Sequence, residues 1–409
     1  MNVQRCVLAG MLLFSPAASL AQVKWTGTVT DSAGIAIVSN PAEGMWSGNA
    51  QWTVEEELRI GTIDGAPEYQ FGQIGWIATA SDGRVFVLDM QAQEIRVYLS
   101  DGRYERTIGR PGQGPGELNG AMFLFSGSGG ILTVPDVQNQ RINRFSLDGT
   151  ALPSFPLSLG NGLPLTFRST SSGTIAQQVR LTDRGLDAIT LLPNNGTSPD
   201  TLLRFPSGRT IELRDGIPVL HVYSPEPVWT IKDDLSVLYG MNDQYNITEF
   251  RRDGSIKRII TLPFGQREVG DRDRSAVLAF LEQRWLEGGV PLVAMAQLRD
   301  NVFFGERLPA FANIEVGPGE TIWVQHFQPA AALSDEELEQ FNLLEDYGAP
   351  QWDVFDAAGR FLGVVTMPRR FTPRLFEDDK IYGVWRDELD VQYVIRLRIN
   401  ASAGRSGDS

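Results

Sequence analysis

The chain has 409 residues, a formal net charge of −14, one cysteine and two histidines. An acidic protein gains nothing from the counterion release that drives nucleic-acid binding and is repelled by anionic lipid surfaces, so neither partner is expected. With one cysteine, no intrachain disulfide can form.

Met1–Arg5 is a short basic stretch, followed by an apolar run from Cys6 to Phe14 and small residues up to Ala21. This is the pattern of a secretory signal peptide, 1–21, cut after Ala21 and too short for a permanent membrane anchor. Cys6 stands at the start of the apolar run, where a lipoprotein cysteine would stand at its end, so lipidation is not expected. Removing the leader leaves a chain without cysteine, more acidic by the loss of Arg5, and without thiolate metal ligands. No later apolar run approaches membrane-spanning length, so no membrane insertion is expected.

Residues 31–40 (DSAGIAIVSN) read as an edge strand or as packing beneath the fold. Residues 53–60 precede a Gly/Pro crossover and read as a strand left over for the end of the chain. Next comes a repeat. Residues 71–107 are echoed by 118–151, with Asp89 on Asp136, Arg96-Val97-Tyr98 on Arg144-Phe145-Ser146 and Asp101-Gly102 on Asp148-Gly149. The offset is about 47 residues, the period of a four-stranded propeller blade. A third unit spans 165–206 and a fourth 227–263. A fifth starts at Phe311 and resumes at Trp352, and a sixth spans 372–399. Each alternates apolar and polar residues over short runs separated by Asp-Gly, Gly-Gly or Asn-Asp turns, the chemistry of antiparallel hairpins. The expected fold is therefore all-β: a six-bladed propeller over 22–399, its last blade completed by residues 53–60.

Two helical insertions are expected at about 268–288 and 334–346. In the first, 271–287 puts Val277, Leu278, Leu281, Trp285 and Leu286 on one face before Gly288-Gly289. The second opens with a Ser334/Glu337 capping box and carries Leu338, Phe341 and Leu344. Helices inserted in a propeller lie at a mouth of its channel, as packing or as a lid. The tail, 400–409, is small, polar and expected to be disordered.

The pattern carried by Asp82-Gly83, Val85, Val87, Asp89, Glu94-Ile95, Tyr98 and Asp101-Gly102 resembles the NHL-repeat class of propeller. Gly112–Leu118 (GQGPGEL) resembles the glycine-rich crossover before an NHL unit. The DSAG opening at 31–34 and the closing GVWRDELDVQYVIRL at 383–397 resemble secreted bacterial six-bladed propellers of unassigned activity. The resemblance implies a fold and an exported, periplasmic or extracellular, location. The class includes ligand-binding and partner-binding scaffolds and a few metal-dependent lyases, so it transfers no activity.

Asp89, Asp136 and Asn242-Asp243 stand at corresponding strand ends, each before a polar turn, and read as structural acceptors for turn N–H groups. His221 and His326 fall on different blades and cannot supply a three-ligand zinc site. Related hydrolases and lactonases hold calcium in the channel through inner-strand Glu, Asn and Asp; here Asn313 and Glu377 are candidates, but no Asp completes the set. Arg168 in the same funnel opposes a cation and suits an anionic or polar ligand. Trp229 and Thr230 also fall on an inner strand. Trp229, Trp285 and Trp352 are candidate aromatic contacts, although tryptophans of propellers more often belong to the core. No nucleophile elbow, phosphate loop, dinucleotide fingerprint or His-Glu-x-x-His is present.

The expectation is an exported, monomeric, non-enzymatic propeller that binds a small molecule, glycan or protein at the channel mouth. Arg168, Trp229, Asn313 and Glu377 are the candidate ligand-binding residues, with no catalytic residue or metal ligand assigned. No cofactor is expected, calcium being the one ion left open. The alternative is a calcium-dependent hydrolase or lyase acting in the channel.

Overall fold

A computed structural model of the chain describes residues 24–401 apart from 47–50, 128, 158–161, 182–184, 193–198, 209–210, 215–216, 341 and 344–346. The expected leader and residues 402–409 of the expected tail lie outside the described residues.

The strands form six blades. Blade 1 is Ile74–Thr79, Val85–Asp89, Glu94–Tyr98 and Tyr104–Ile108; blade 2 is Phe125–Gly127, Ile131–Asp136, Arg141–Ser146 and Ala151–Pro156. Blade 3 is Leu163–Ser169, Ile175–Leu181, Leu186–Leu191 and Asp200–Pro206; blade 4 is Pro227–Ile231, Val237–Met241, Asn246–Phe250 and Ile256–Thr261. Blade 5 is Phe311–Val316, Ile322–Phe327, Gly348–Phe355 and Phe361–Thr366. Blade 6 is Phe371–Glu377, Lys380–Arg386, Gln392–Asn400 and, from the other end of the chain, Thr53–Ile60. The first strand of each lines the axis.

A propeller blade is buried on both faces, so period-2 alternation sends alternate side chains to different neighbours rather than to core and solvent. In Val85–Asp89 every residue is buried. Phe86 and Leu88 pack with Leu132, Val134 and Phe145 of blade 2, whereas Val85 and Val87 pack with Tyr382, Val384 and Val394 of blade 6. Comparable apolar clusters fill the remaining interfaces between successive blades.

The ring closes where the sequence predicts. Thr53–Ile60 runs antiparallel to Gln392–Asn400, with Ile60 opposite Val394 and Thr53 opposite Asn400. Residues 31–40 belong to a hairpin added to blade 4. Ile35–Ser39 pairs in parallel with Ile256–Thr261, and Thr28–Ser32 lies outside it. Its turn places Ala33 and Gly34 at φ 54° and 84°, the left-handed pair a tight hairpin demands.

The repeated acids are structural. Asp89, fully buried, accepts the N–H groups of Gly72 (2.9 Å), Gln91 (3.0 Å) and Ala92 (3.1 Å) and lies 3.4 Å from the Arg96 guanidinium. Asp136 accepts from Asn119 N (2.9 Å), Asn139 N (3.1 Å) and the side-chain amides of Asn139 (2.8 Å) and Asn143 (3.2 Å). Asn242 accepts the Glu226 N–H at 2.8 Å, the same task with an amide.

Three insertions depart from this plan, after blade 3, after blade 4, and between the second and third strands of blade 5. Strand direction alternates within each blade, so all three leave the ring at the face where the inner strands begin. Helix α1, Asp271–Glu287, has the expected bounds, and Asp273 at its start accepts the Gly270 N–H at 3.2 Å. Its docked line is Val277 with Ala276, Phe280 and Leu281; Leu286, expected on that face, is outside this cluster and 53% exposed. The same insertion adds helix α2, Leu292–Asp300, and Val302–Phe304, which joins Ile211–Arg214 and Ile217–Val222 in a three-stranded sheet. The second helical insertion is shorter than its periodicity suggests. Helix α3 is only Asp335–Glu339, although its Ser334/Glu337 capping box forms as expected. Leu338 packs with Val277, and Phe341 and Leu344 lie outside the described residues. At the other end of the chain, Asn400 is the last residue of a strand rather than tail.

Candidate functional site

The inner strands carry a recurring irregularity. In blades 1, 3, 5 and 6 their pairing with the second strand skips one residue, leaving Gly75, Leu165, Ala312 and Arg374 as single-residue bulges. A bulge bends a strand and re-aims the side chains that follow it. At Gly75 a Cβ would meet Met90 Cγ at 2.5 Å and the Met122 carbonyl at 2.9 Å, so blade 1 has no side chain where blade 6 has Arg374.

The bulges stand just above a waist in the channel. Trp76, Arg168, Glu315 and Arg374 line both the chamber on the insertion face, about 420 Å³, and the chamber on the opposite face, about 900 Å³. The Arg168 guanidinium lies 6.0 Å and that of Arg374 5.7 Å from the Trp76 ring centroid, within cation–π range. Arg168 Nη2 is 3.8 Å from Glu315 Oε1, and Asn313 Nδ2 donates to the same oxygen at 3.1 Å. Trp76 is itself held by Phe123 and Phe125, with centroids 5.0 and 5.8 Å away. Burial pushes the Glu315 carboxyl above its ordinary range, and Arg168, the Asn313 hydrogen bond and Arg374 offset only part of that shift. The waist therefore brings the guanidiniums of Arg168 and Arg374 and the carboxyl group of Glu315 to one aromatic ring.

Several charges elsewhere in the channel are paired. On the rim of the insertion face, Arg386 and Arg370 reach Asp390 at 3.1 and 3.5 Å, Arg370 donates to Gln340 at 2.7 Å, and Arg369 contacts Glu337. On the opposite face, Lys232 contacts Glu320 at 2.6 Å, Asp233 accepts from Ser171, and Thr79 donates to Glu377 at 2.8 Å.

A second cavity of about 540 Å³ opens beside the chamber on the insertion face. Its walls are largely apolar: Leu220 and Val222 of the three-stranded sheet, Phe280 and Leu281 of α1, and Leu343 of the blade 5 insertion. Thr166, Arg168, Asn313 and Tyr347 line this cleft and the chamber alike.

Of the residues singled out from sequence, Arg168 and Asn313 come together at the waist. Glu377 does not join them. It is exposed on the opposite face, so the oxygen donors considered for calcium are split between two chambers. Asn313 Oδ1 already accepts the Ile314 N–H at 3.0 Å, and Glu315 shares its site with two guanidiniums, a donor set that repels a cation. Among the described residues no group of three or more His, Cys, Asp or Glu side chains converges as a metal site. Trp229 is 3% exposed and packed between blades 3 and 4, yet it lines the cleft together with Gln178, to which its Nε1–H donates at 2.8 Å. Thr230 is buried beside it. Trp352 is core and Trp285 half-buried on α1. His221 faces Phe303 in the cleft wall, with centroids 5.7 Å apart, while His326 Nε2 lies 2.8 Å from Asp353 in blade 5.

Sequence reasoning missed Trp76, Glu315 and Arg374. Glu315 was within reach, since it is two residues from Asn313 and shares its face of the strand. Arg374 and Trp76 were hidden by the bulges, which break the alternation that would assign their direction.

Residues 65–252 match the family DUF5128, described as a 6-bladed beta-propeller. No curated protein matches the chain. Among solved structures, a DUF4221-family protein of Bacteroides vulgatus aligns with TM-score 0.52 at 9% identity, over 86% of this chain and 99% of its own. A protein of Bacteroides fragilis described as exported aligns with TM-score 0.50 at 12% identity, over 89% and 99%. Virginiamycin B lyase of Staphylococcus aureus gives 0.43 at 11%, over 85% and 99%. These likenesses concern the fold alone, and the fold is a six-bladed propeller.

Proposed function

We propose that this propeller is an exported, non-enzymatic binding protein that takes a small organic anion in the chamber on its insertion face. One observation carries the reading: at the waist, the guanidiniums of Arg168 and Arg374 both lie by the Trp76 ring, in the wall of a chamber large enough for a small molecule. Guanidinium donors set beside an aromatic ring favour an anion with a flat or apolar body. Charge-assisted hydrogen bonds from a guanidinium to a carboxylate or sulfonate are the strong, directional kind, and a chamber of about 420 Å³ suits a small molecule. No helix among the described residues is long and apolar enough to cross a membrane, and the residues before Ala21 have the pattern of an export leader. Delivery to the periplasm or beyond follows from that pattern.

Propane-1-sulfonate titrated calorimetrically into the whole protein at pH 7 tests this. Binding is expected, and Arg168→Gln or Arg374→Gln should weaken it about tenfold or more, the worth of one charge-assisted hydrogen bond. Equal affinity in wild type and both variants would refute the site. A thermal melt in calcium against chelator should show no displacement, whereas a rise of several degrees in calcium would favour a metal-dependent protein instead.

A further inference from the structure

We propose that the anion is amphipathic: its charged head sits at the waist and an apolar tail, such as an alkyl or acyl chain, lies in the cleft beneath α1. The inference rests on the anion-binding reading above and adds the chemistry of the rest of the ligand.

Three observations carry it. First, the chamber and the apolar cleft are contiguous, and the residues common to both include Arg168, the guanidinium of the waist. A molecule anchored there by its charge can extend past Thr166 and Tyr347 into the cleft. Second, the insertions supply the apolar cover of the cleft, over a wall of strand residues from blades 3, 4 and 5. Leu220, Leu281 and Leu343 come from three different insertions that pack on one another around Val222, Val277 and Ala330. Third, the insertion is locked in place by a buried carboxylate. Asp273 is 2% exposed, and its Oδ1 accepts the Ala331 N–H at 2.9 Å while its Oδ2 holds the helix start. The cleft is thereby pre-formed, as ligand pockets usually are.

Alkane-1-sulfonates of three, six and ten carbons, titrated into the whole protein, provide the test. Their headgroup stays ionised throughout the accessible pH range, so only chain length varies. Affinity should rise about fourfold per methylene while the cleft fills, the transfer free energy of one buried CH₂. Leu281→Gln and Leu343→Gln lie on different insertions, and a melt establishes that each is folded. Either should cut the ratio of ten-carbon to three-carbon affinity by about tenfold or more, from the lost apolar contact. If the three-carbon probe binds through Arg168 but affinity is flat with length, the tail site is refuted and the anion site stands. If affinity rises with length equally in wild type and both variants, the tail lies elsewhere and the inference fails. If no sulfonate of any length binds, both readings fall together.

Discussion

Arg168 and Glu315 meet across the channel waist, Nη2 to Oε1 at 3.8 Å, and the Arg374 guanidinium lies by the same Trp76 ring as that of Arg168. Glu315 is thus a built-in competitor for whatever anion the arginines receive, and its protonation state sets how strongly it competes.

This gives a pH dependence with a definite sign. The Glu315 pKa is raised in the folded protein, so the folded state holds this proton more tightly than the unfolded chain. As pH rises from the unfolded value through the folded one, stability is lost, and the waist becomes less cationic. Propanesulfonate affinity should therefore climb as pH falls through that window. In Glu315→Gln the climb should disappear, with affinity at pH 7 raised about threefold to tenfold, the magnitude of a moderate charge coupling. Melts should show Glu315→Gln gaining on wild type at pH 7 and not below the window. Parallel pH profiles in the two proteins would contradict the assignment.

The repeated acids should separate by the kind of partner each holds. Asp89 serves backbone N–H groups and, with Glu94, the largely buried Arg96, so Asp89→Ala leaves buried N–H groups without their acceptor and Arg96 with one carboxylate instead of two, and should cost about 3–5 kcal/mol. Asp136 is held by amides, and Asp136→Asn, which keeps the shape, should cost less than Asp89→Asn. Denaturant midpoints at constant m-value measure both. Neither change should alter anion binding in the protein that remains folded.

Ring closure depends on one short strand from the far end of the chain. Ile60 is 1% exposed among Val394, Tyr382 and Val85, so Ile60→Ala should destabilise by about 2–5 kcal/mol. An exposed strand residue such as Glu55→Ala should change stability by less than about 0.5 kcal/mol. Equal effects at the two positions would mean that blades 6 and 1 hold together without the strand.

The insertion is a local unit, and Asp273 is its tie. Asp273→Ala removes the acceptor for Ala331 N–H and Gly270 N–H. Hydrogen exchange in α1 and α2 should accelerate about tenfold or more, as one to two kcal/mol of local stability is lost. Exchange in the blade 1 strands should stay as it was. Uniform acceleration throughout would instead mark α1 as part of the global folding unit.

The ring was legible because its signals are local. Asp-Gly turns, alternating runs and the recurring Asp follow from neighbours in sequence, and the residues left at 53–60 had one unpaired strand to complete. Helix α1 was legible for the same reason, through its 3.6-residue period and Gly288. The site was legible only in part. Arg168 and Asn313 follow from inner-strand position, but Glu377 falls on the other face, and Trp229 lines the cleft while packed almost wholly between two blades, because an inner strand also presents a face to the next blade.

By itself, the sequence determines the number of blades, their strand order, the closing strand and the structural task of Asp89 and Asp136, since each depends on spacing and turn chemistry. Only the tertiary structure decides that Trp76, Arg168, Glu315 and Arg374 share one point on the axis. They come from four blades, and bulges at Gly75 and Arg374 reset the alternation from which their directions would be read. It also decides that three insertions far apart in the chain emerge on one face and wall a single cleft. Strand direction sets that face, and no local pattern in the sequence records it.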